Sequence, residues 1–324
     1  MIMKKCHVAL LSAVLFAGTA TPCLAEESRT FTVGICQYVQ HQALDLATEG
    51  FMDALTEALG DQVDFEVSNA QGDSNTCTTI INGFVSQNVD LILANATTAL
   101  QAAVTATADI PVLGTSVTEY GAALQLEDFH GTVGGNVSGT SDLAPLDEQA
   151  AMVKELFPDA ETVGLLYCSA EPNSQYQIEV VQEELESLGL ASKVYTFADS
   201  YDISAITTNA AAQCDVLYVP TDNMAASNAE LIYNICMPAG IPVITGEENT
   251  CRLCGVATFS VDYYDLGYTT GQMAVRILRD GASISEMPIE YASGFTRRYN
   301  PQICEELDIT PPEDYVALDA QDAR

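Results

Sequence analysis

Cys251-Arg252-Leu253-Cys254 is the clearest place in this 324-residue chain where spacing by itself suggests chemistry. Two thiols three residues apart suit a redox disulfide or half of a zinc site. A zinc site needs a second pair or nearby imidazoles, and beyond residue 25 the chain offers only His41 and His130. The pair therefore reads first as a local structural feature or a disulfide, and thiol oxidoreduction is a competing function. His41 lacks a neighbouring nucleophile or orienting partner and reads as a pocket or capping residue. GxSxG, P-loop, GxGxxG and HExxH patterns are absent, so no catalytic residue, cofactor or metal is expected.

A second kind of chemistry is non-covalent. Small polar residues follow the apolar runs at regular intervals: Gln37 and His41; Asn95, Thr97 and Thr98; Thr115, Ser116 and Thr118. The later half supplies Ser169, Glu171, Asn173 and Ser174, then Thr221, Asp222 and Asn223, then Glu247 and Glu248. Each alone is an ordinary helix N-cap type. Their recurrence after successive strands predicts a ligand cleft lined from two sides, because open parallel sheets bind ligands outside the carboxyl ends of their strands. Helix N-termini there suit a carboxylate.

The elements that position these residues alternate. Phe31–Ile35 reads as a strand, and Leu44, Ala47, Phe51, Ala54, Leu55 and Ala58 mark one face of a helix. Val63, Phe65 and Val67 alternate as a strand. Helix at 76–87, strand at 89–94, helix at 97–108 and strand at 110–114 follow. The rhythm resumes with strands at 162–167, 193–197, 216–219 and 243–245 and a helix burying Ile178, Val181, Leu185 and Leu188. Strands separated by single helices imply parallel sheets covered on both faces. Asp90-Leu-Ile-Leu-Ala-Asn-Ala-Thr parallels Asp215-Val-Leu-Tyr-Val-Pro-Thr-Asp, and Ile110-Pro-Val-Leu parallels Ile241-Pro-Val-Ile in the same order. The prediction is an α/β chain with two copies of one doubly wound, parallel-sheet architecture.

Composition sets the compartment and excludes partners. Lys4 and Lys5 precede an uncharged, mostly apolar run from Val8 to Ala20 and then Thr21-Pro-Cys-Leu-Ala25. That is the layout of a signal peptide cleaved after Ala25, hence an exported protein. Lipid attachment at Cys23 is the poorer fit, because Ala20 and Pro22 do not suit a lipobox. No later stretch reaches the ~18 apolar residues of a membrane span. With 45 acidic and 11 basic residues the chain carries a formal charge of −34, which repels nucleic acid and anionic lipid. Eight cysteines follow residue 25: Cys36, Cys77, Cys168, Cys214, Cys236, Cys251, Cys254 and Cys304. An exported chain of this size permits disulfides without requiring them.

Several segments together resemble a known family. Gln37-Tyr-Val-Gln-His-Gln-Ala-Leu-Asp45, Gly114-Thr-Ser-Val-Thr118, Ser138-Gly-Thr-Ser-Asp142, Glu171-Pro-Asn-Ser174, Pro220-Thr-Asp-Asn223, Gly246-Glu-Glu248 and Ser260-Val-Asp-Tyr-Tyr-Asp-Leu-Gly267 resemble substrate-binding proteins of tryptophan/tyrosine-type ABC importers. The resemblance implies a type I periplasmic-binding fold: two Rossmann-like lobes, three crossing segments and a small molecule held between them. It places one lobe at 29–136 plus 262–287 and the other at 137–261 plus 288–324, and hinges near Asn136, Val261 and Met287. It carries ligand binding to Gln37, His41, Asn95, Thr97, Thr98, Thr115, Ser116, Ser169, Asn173, Ser174, Asp222, Asn223 and Glu247. Asn95–Thr98 and Thr115-Ser116 would take an α-carboxylate, and Asp222 or Glu247 an ammonium. The implied ligand is an aromatic amino acid and the implied partner an ABC permease, with the chain a monomer. A sensor component serving a chemoreceptor or kinase shares every one of these features. Relatives run Gly-Glu-Glu-Gly where this chain has Gly246-Glu-Glu-Asn249, so that loop departs from the pattern.

Overall fold

The computed structural model describes residues 29–291 and 294–318; the expected signal peptide and Cys23 lie outside them. The first half runs β1 (Phe31–Gln37), α1 (Gln42–Leu59), β2 (Val63–Asn69), α2 (Ser74–Gln87), β3 (Leu91–Asn95), α3 (Thr97–Ala106), β4 (Val112–Val117), α4 (Tyr120–Leu124) and β5 (Val137–Ser141). The second runs α5 (Leu146–Leu156), β6 (Thr162–Cys168), α6 (Pro172–Ser187), β7 (Ala191–Phe197), α7 (Ile203–Ala211), β8 (Val216–Val219), α8 (Asn223–Ala226), α9 (Ala229–Ala239), β9 (Val243–Thr245), α10 (Glu248–Cys254) and β10 (Ala257–Ser260). α11 (Tyr263–Leu278), β11 (Glu290–Tyr291), β12 (Thr296–Tyr299), α12 (Pro301–Glu306) and β13 (Val316–Ala317) complete the described chain.

Two sheets result, ordered β11-β5-β4-β3-β1-β2 and β13-β12-β10-β9-β8-β6-β7. Within each, the five leading strands are parallel and take the doubly wound order 2-1-3-4-5. Such a sheet reverses winding direction between its first and third strands, and a crevice opens there. The switch points are thus β1/β3 in one lobe and β6/β8 in the other.

The repeated sequence segments have the same job in both lobes. Asp90 accepts a hydrogen bond from Thr32 N at 2.9 Å, and Asp215 accepts one from Thr162 N at 2.8 Å, so each aspartate ties the start of the third strand to the start of the first. Pro111 O accepts from Ile92 N and Pro242 O from Leu217 N, both at 2.9 Å. The Ile-Pro-Val motif thus enters its strand at the same point twice. A proline is tolerated there because it opens the strand and supplies an acceptor without needing to donate.

The lobe limits differ from those expected at Asn136 and Met287. Val137–Ser141 is a strand paired with β4, and Glu290–Tyr291 pairs with β5, so both lie in the first sheet. Val-Ser-Gly-Thr-Ser lacks the apolar β-branched run that announces a strand. It is buried because α11 covers it: Thr140 Oγ1 and Thr270 Oγ1 lie 2.7 Å apart. The chain passes between sheets after Ser141, after Ser260 and after Tyr291.

α11 follows the second sheet in sequence yet packs along α1 of the first lobe. Glycines set that approach. A Cβ on Gly267 would stand 1.9 Å from Ala47 O, and one on Gly50 would stand 2.2 Å from Tyr264 O. No larger residue fits without separating the helices.

Candidate functional site

The carboxyl ends of β1 and β4 face those of β6, β8 and β9 across the gap between the lobes. A cavity there is lined by His41, Leu44, Ser116, Thr118, Asp142, Asn173, Thr221, Asp222, Asn223, Ala226, Glu247 and Tyr263. The space they leave is about 10 Å³, roughly the room one water needs. The lobes touch directly: His41 Nε2 and Asn223 Oδ1 are 3.2 Å apart.

Six of the thirteen residues expected at the site line this cavity: His41, Ser116, Asn173, Asp222, Asn223 and Glu247. The other seven stand behind it or away from it. Gln37 donates to Asp45 Oδ1 (2.7 Å) and Val39 O, and accepts from Thr48 Oγ1 at 2.8 Å. Asn95 donates to Leu44 O (2.8 Å) and Thr48 Oγ1 (2.9 Å). Together they lock α1 over the β1/β3 switch point and so position His41 and Leu44. Thr97 and Thr98 open α3 outside the lining. Thr115 belongs to a buried hydroxyl cluster with Thr140 and Thr270. Ser174 supports Asp222, and Ser169 is exposed, donating to Phe197 O at 3.2 Å.

The acidic wall is held by helix N-termini. Asp222 caps α8, accepting from Ala225 N at 2.7 Å, and also accepts from Cys168 N at 2.7 Å. Glu247 caps α10, accepting from Asn249 N at 2.6 Å, Thr250 N at 2.5 Å and the Thr250 hydroxyl. Glu171 sits behind them and accepts from Asn223 N, Asn223 Nδ2, Met224 N and Asn173 Nδ2. Asp142, on the first crossing, accepts from Tyr263 OH at 2.7 Å and from the Thr118 side chain. Burial raises all four carboxyls above their usual range, and Asp222's charge helps push Glu171 up to about 8. A cation entering the cavity would reverse that penalty.

Three polar atoms of this lining are buried without a hydrogen-bond partner: His41 Nδ1, Ser116 Oγ and Asn173 Oδ1. Ser116 also holds a left-handed φ of 54°, a strained backbone of the kind that gathers at functional sites. Thr118 and Thr221, counted among the strand-end polar residues, line the cavity too, whereas sequence reasoning did not place Asp142 or Tyr263 in the site. The signal lay in Ser138–Asp142 and Ser260–Gly267, which supported the family resemblance without being assigned to the cleft.

The CxxC pair lies in surroundings that disfavour thiolates. Cys251 and Cys254 lie on α10, both are buried, and burial pushes both thiols well up. A nucleophilic thiol needs the opposite shift. No disulfide joins any of the eight described cysteines.

Two doubly wound lobes, joined by three crossings and meeting at their switch points, define a type I periplasmic-binding architecture. The chain belongs to the ABC transporter substrate binding protein family, whose model matches residues 32–322. It is 35% identical over 263 residues to a tyrosine-binding protein of Clostridioides difficile (strain R20291), covering 79% of this chain and 75% of that one. A Streptococcus pneumoniae ABC domain in complex with L-Trp superposes with a TM-score of 0.85 at 31% identity, covering 90% of this chain and all of that one. The ligand-free, open structure of a Clostridium difficile substrate-binding protein with adhesive properties gives 0.68 at 34% identity, covering 90% and 99%. At nearly equal identity the overall shape follows the L-Trp complex, in agreement with the direct contact between lobes. Among the described residues, no helix is long and apolar enough to cross a membrane.

Proposed function

We propose that this chain is exported and carries an aromatic amino acid, held between its lobes, to an ABC permease. The observation that carries the reading is the cavity at the two switch points, where both lobes contribute buried polar atoms that lack partners. The relatives' ligands, tyrosine and tryptophan, support the choice of ligand class. The lobes we propose are 29–141 with 262–291, and 142–261 with 294–318, hinged at the three passages between sheets. Ser116, whose hydroxyl is free to donate, takes the carboxylate in this reading. Gln37, Asn95 and Thr115 act at one remove by fixing the elements that carry the site.

A thermal-shift screen of amino acids on the mature chain tests this. A ligand at 100 times its dissociation constant stabilises the folded protein by about 2.7 kcal/mol. Tyrosine, tryptophan or phenylalanine is expected to shift the transition ahead of aliphatic amino acids. A flat response to all three, beside a clear shift with another solute, rejects the aromatic assignment.

A further inference from the structure

Cys36 and Cys77 differ from other described cysteines in what they touch. Cys168 and Cys304 each lie 3.7 Å from a carbonyl oxygen, of Ala198 and Val256 respectively, and Cys214 lies 3.5 Å from Tyr195 OH. Cys36 and Cys77 are each other's side-chain hydrogen-bond partners. Both are fully buried in one core cluster of the first lobe. Side chains alternate along β1: Val33 and Ile35 join the cluster of Phe51 and Leu55, whereas Gly34 and Cys36 face α2. Cys77, Ile81 and Phe84 share one face of α2. That helix joins two strands parallel to β1, so it runs back along β1. A Cβ on Gly34 would stand 2.6 Å from the Phe84 ring, so helix and strand lie close there. Two turns nearer the start of α2, the same face brings Cys77 onto Cys36.

The structure holds both residues as thiols. A disulfide needs Cβ atoms about 3.5–4.5 Å apart, a separation that thiols already within hydrogen-bond reach attain by small side-chain rotations. The two sulfurs are also unequal. Cys77 lies near the start of α2, where a helix end favours a thiolate. The hydrogen bond from Cys36 holds Cys77 below its ordinary range and keeps Cys36 above it. Cys77 is thus the attacking sulfur. Its thiolate displaces one sulfur of an external disulfide, and Cys36 then attacks the Cys77 sulfur and releases the second. The protons of the two cysteines end on the two released thiols, so one external disulfide is reduced as one internal disulfide forms. Neither sulfur is exposed in the folded chain, so the exchange takes place while the lobe is folding.

We infer that Cys36 and Cys77 form a structural disulfide in the exported protein, tying the end of β1 to the start of α2. The inference takes its oxidising compartment, and an oxidant of the disulfide class, from the export proposed above. The bridge lies one residue before Gln37, whose bonds to Asp45 and Thr48 help to hold α1 over the switch point. It closes a loop containing α1 and β2, and so constrains the unfolded chain over the segment that carries His41 and Leu44. Neither cysteine lines the cavity, so the bridge stabilises the lobe without touching the ligand.

The test is oxidative refolding of the mature chain. The chain is unfolded in guanidinium chloride with reductant, then refolded either with reductant or with a mixture of reduced and oxidised glutathione. Remaining thiols are alkylated, and a peptic digest is mapped by mass spectrometry. The oxidised product is expected to yield a peptide pair linked through Cys36 and Cys77. It should melt roughly 5–15 °C above the reduced chain, and Cys36→Ala or Cys77→Ala should each remove that difference. A product folded by circular dichroism in which both residues are alkylated would overturn the inference. So would a rise in melting temperature carried by another pair, such as Cys254 with its neighbour Cys236. Either result leaves export standing, because glutathione supplies the oxidant in the tube. A Cys36–Cys77 bridge formed in this refolding, by a chain that its host retains in the cytoplasm, would overturn export and not the pairing.

Discussion

His41 Nε2 and Asn223 Oδ1 meet at 3.2 Å across the cleft, the first at the start of α1 and the second at the start of α8. Burial lowers the His41 imidazole to about 4 from an ordinary 6.5. Between those values the unfolded chain binds a proton that the folded chain refuses. Stability held at neutral pH is therefore lost as pH falls from about 6.5 towards 4. His41→Gln removes that loss, so wild type should fall relative to the variant by up to roughly 3 kcal/mol over the window. The buried acids shift the other way but are common to both proteins and cancel in the difference. Urea titrations at several pH values check it, and parallel curves would refute it.

Asp222 is a structural cap as well as part of the cavity wall. Asp222→Ala deletes the acceptor for Ala225 N and Cys168 N together, which should cost about 2–4 kcal/mol. Asp222→Asn keeps one oxygen and should cost less. Denaturant midpoints decide between them, and an alanine variant as stable as wild type would show that the cap contributes little.

Gly267 fixes the spacing of α1 and α11. Gly267→Ala drives a methyl into Ala47 O, and overpacking of this kind costs about 1–3 kcal/mol. Since Ala47 lies one turn beyond Leu44 on α1, the variant should also loosen ligand binding. Gly83→Ala is the control, because a Cβ there meets nothing within 4 Å. Thermal melts of the two should separate clearly.

Much of the fold was legible because buried strands and amphipathic helices write themselves as periodic apolar residues. The duplicated Asp and Ile-Pro-Val positions even marked equivalent hydrogen bonds in the two lobes. β5 was hidden because its burial rests on Thr140 and Thr270 sharing hydroxyls, a contact between residues 130 positions apart. The site was half legible for a related reason. Polar residues after strands are easy to count, but whether a side chain faces the cleft or braces its own lobe depends on register and neighbours. Gln37 and Asn95 turned inward to hold Thr48, while Asp142 gained its place from a crossing whose path no local pattern reveals.

Delivery of a ligand requires the lobes to part. The cavity's volume is about 10 Å³, far below the several hundred Å³ of a small-molecule pocket, so entry and release depend on opening. The chain passes between sheets after Ser141, Ser260 and Tyr291, and a few backbone dihedrals at such passages absorb a rigid-body rotation. The unpartnered atoms of His41 and Asn173 sit on opposite sides of that rotation, so a ligand touching both favours closure by its differential affinity for the two states. Distance labels on the exposed Glu49 and Glu230, one per lobe, should report a shorter and narrower distribution with tyrosine than without it. Small-angle scattering should give a smaller radius of gyration, and far-ultraviolet dichroism should not change. Tight binding with no change in either distance or scattering would mean that the lobes do not close on the ligand, and the trap mechanism would fail.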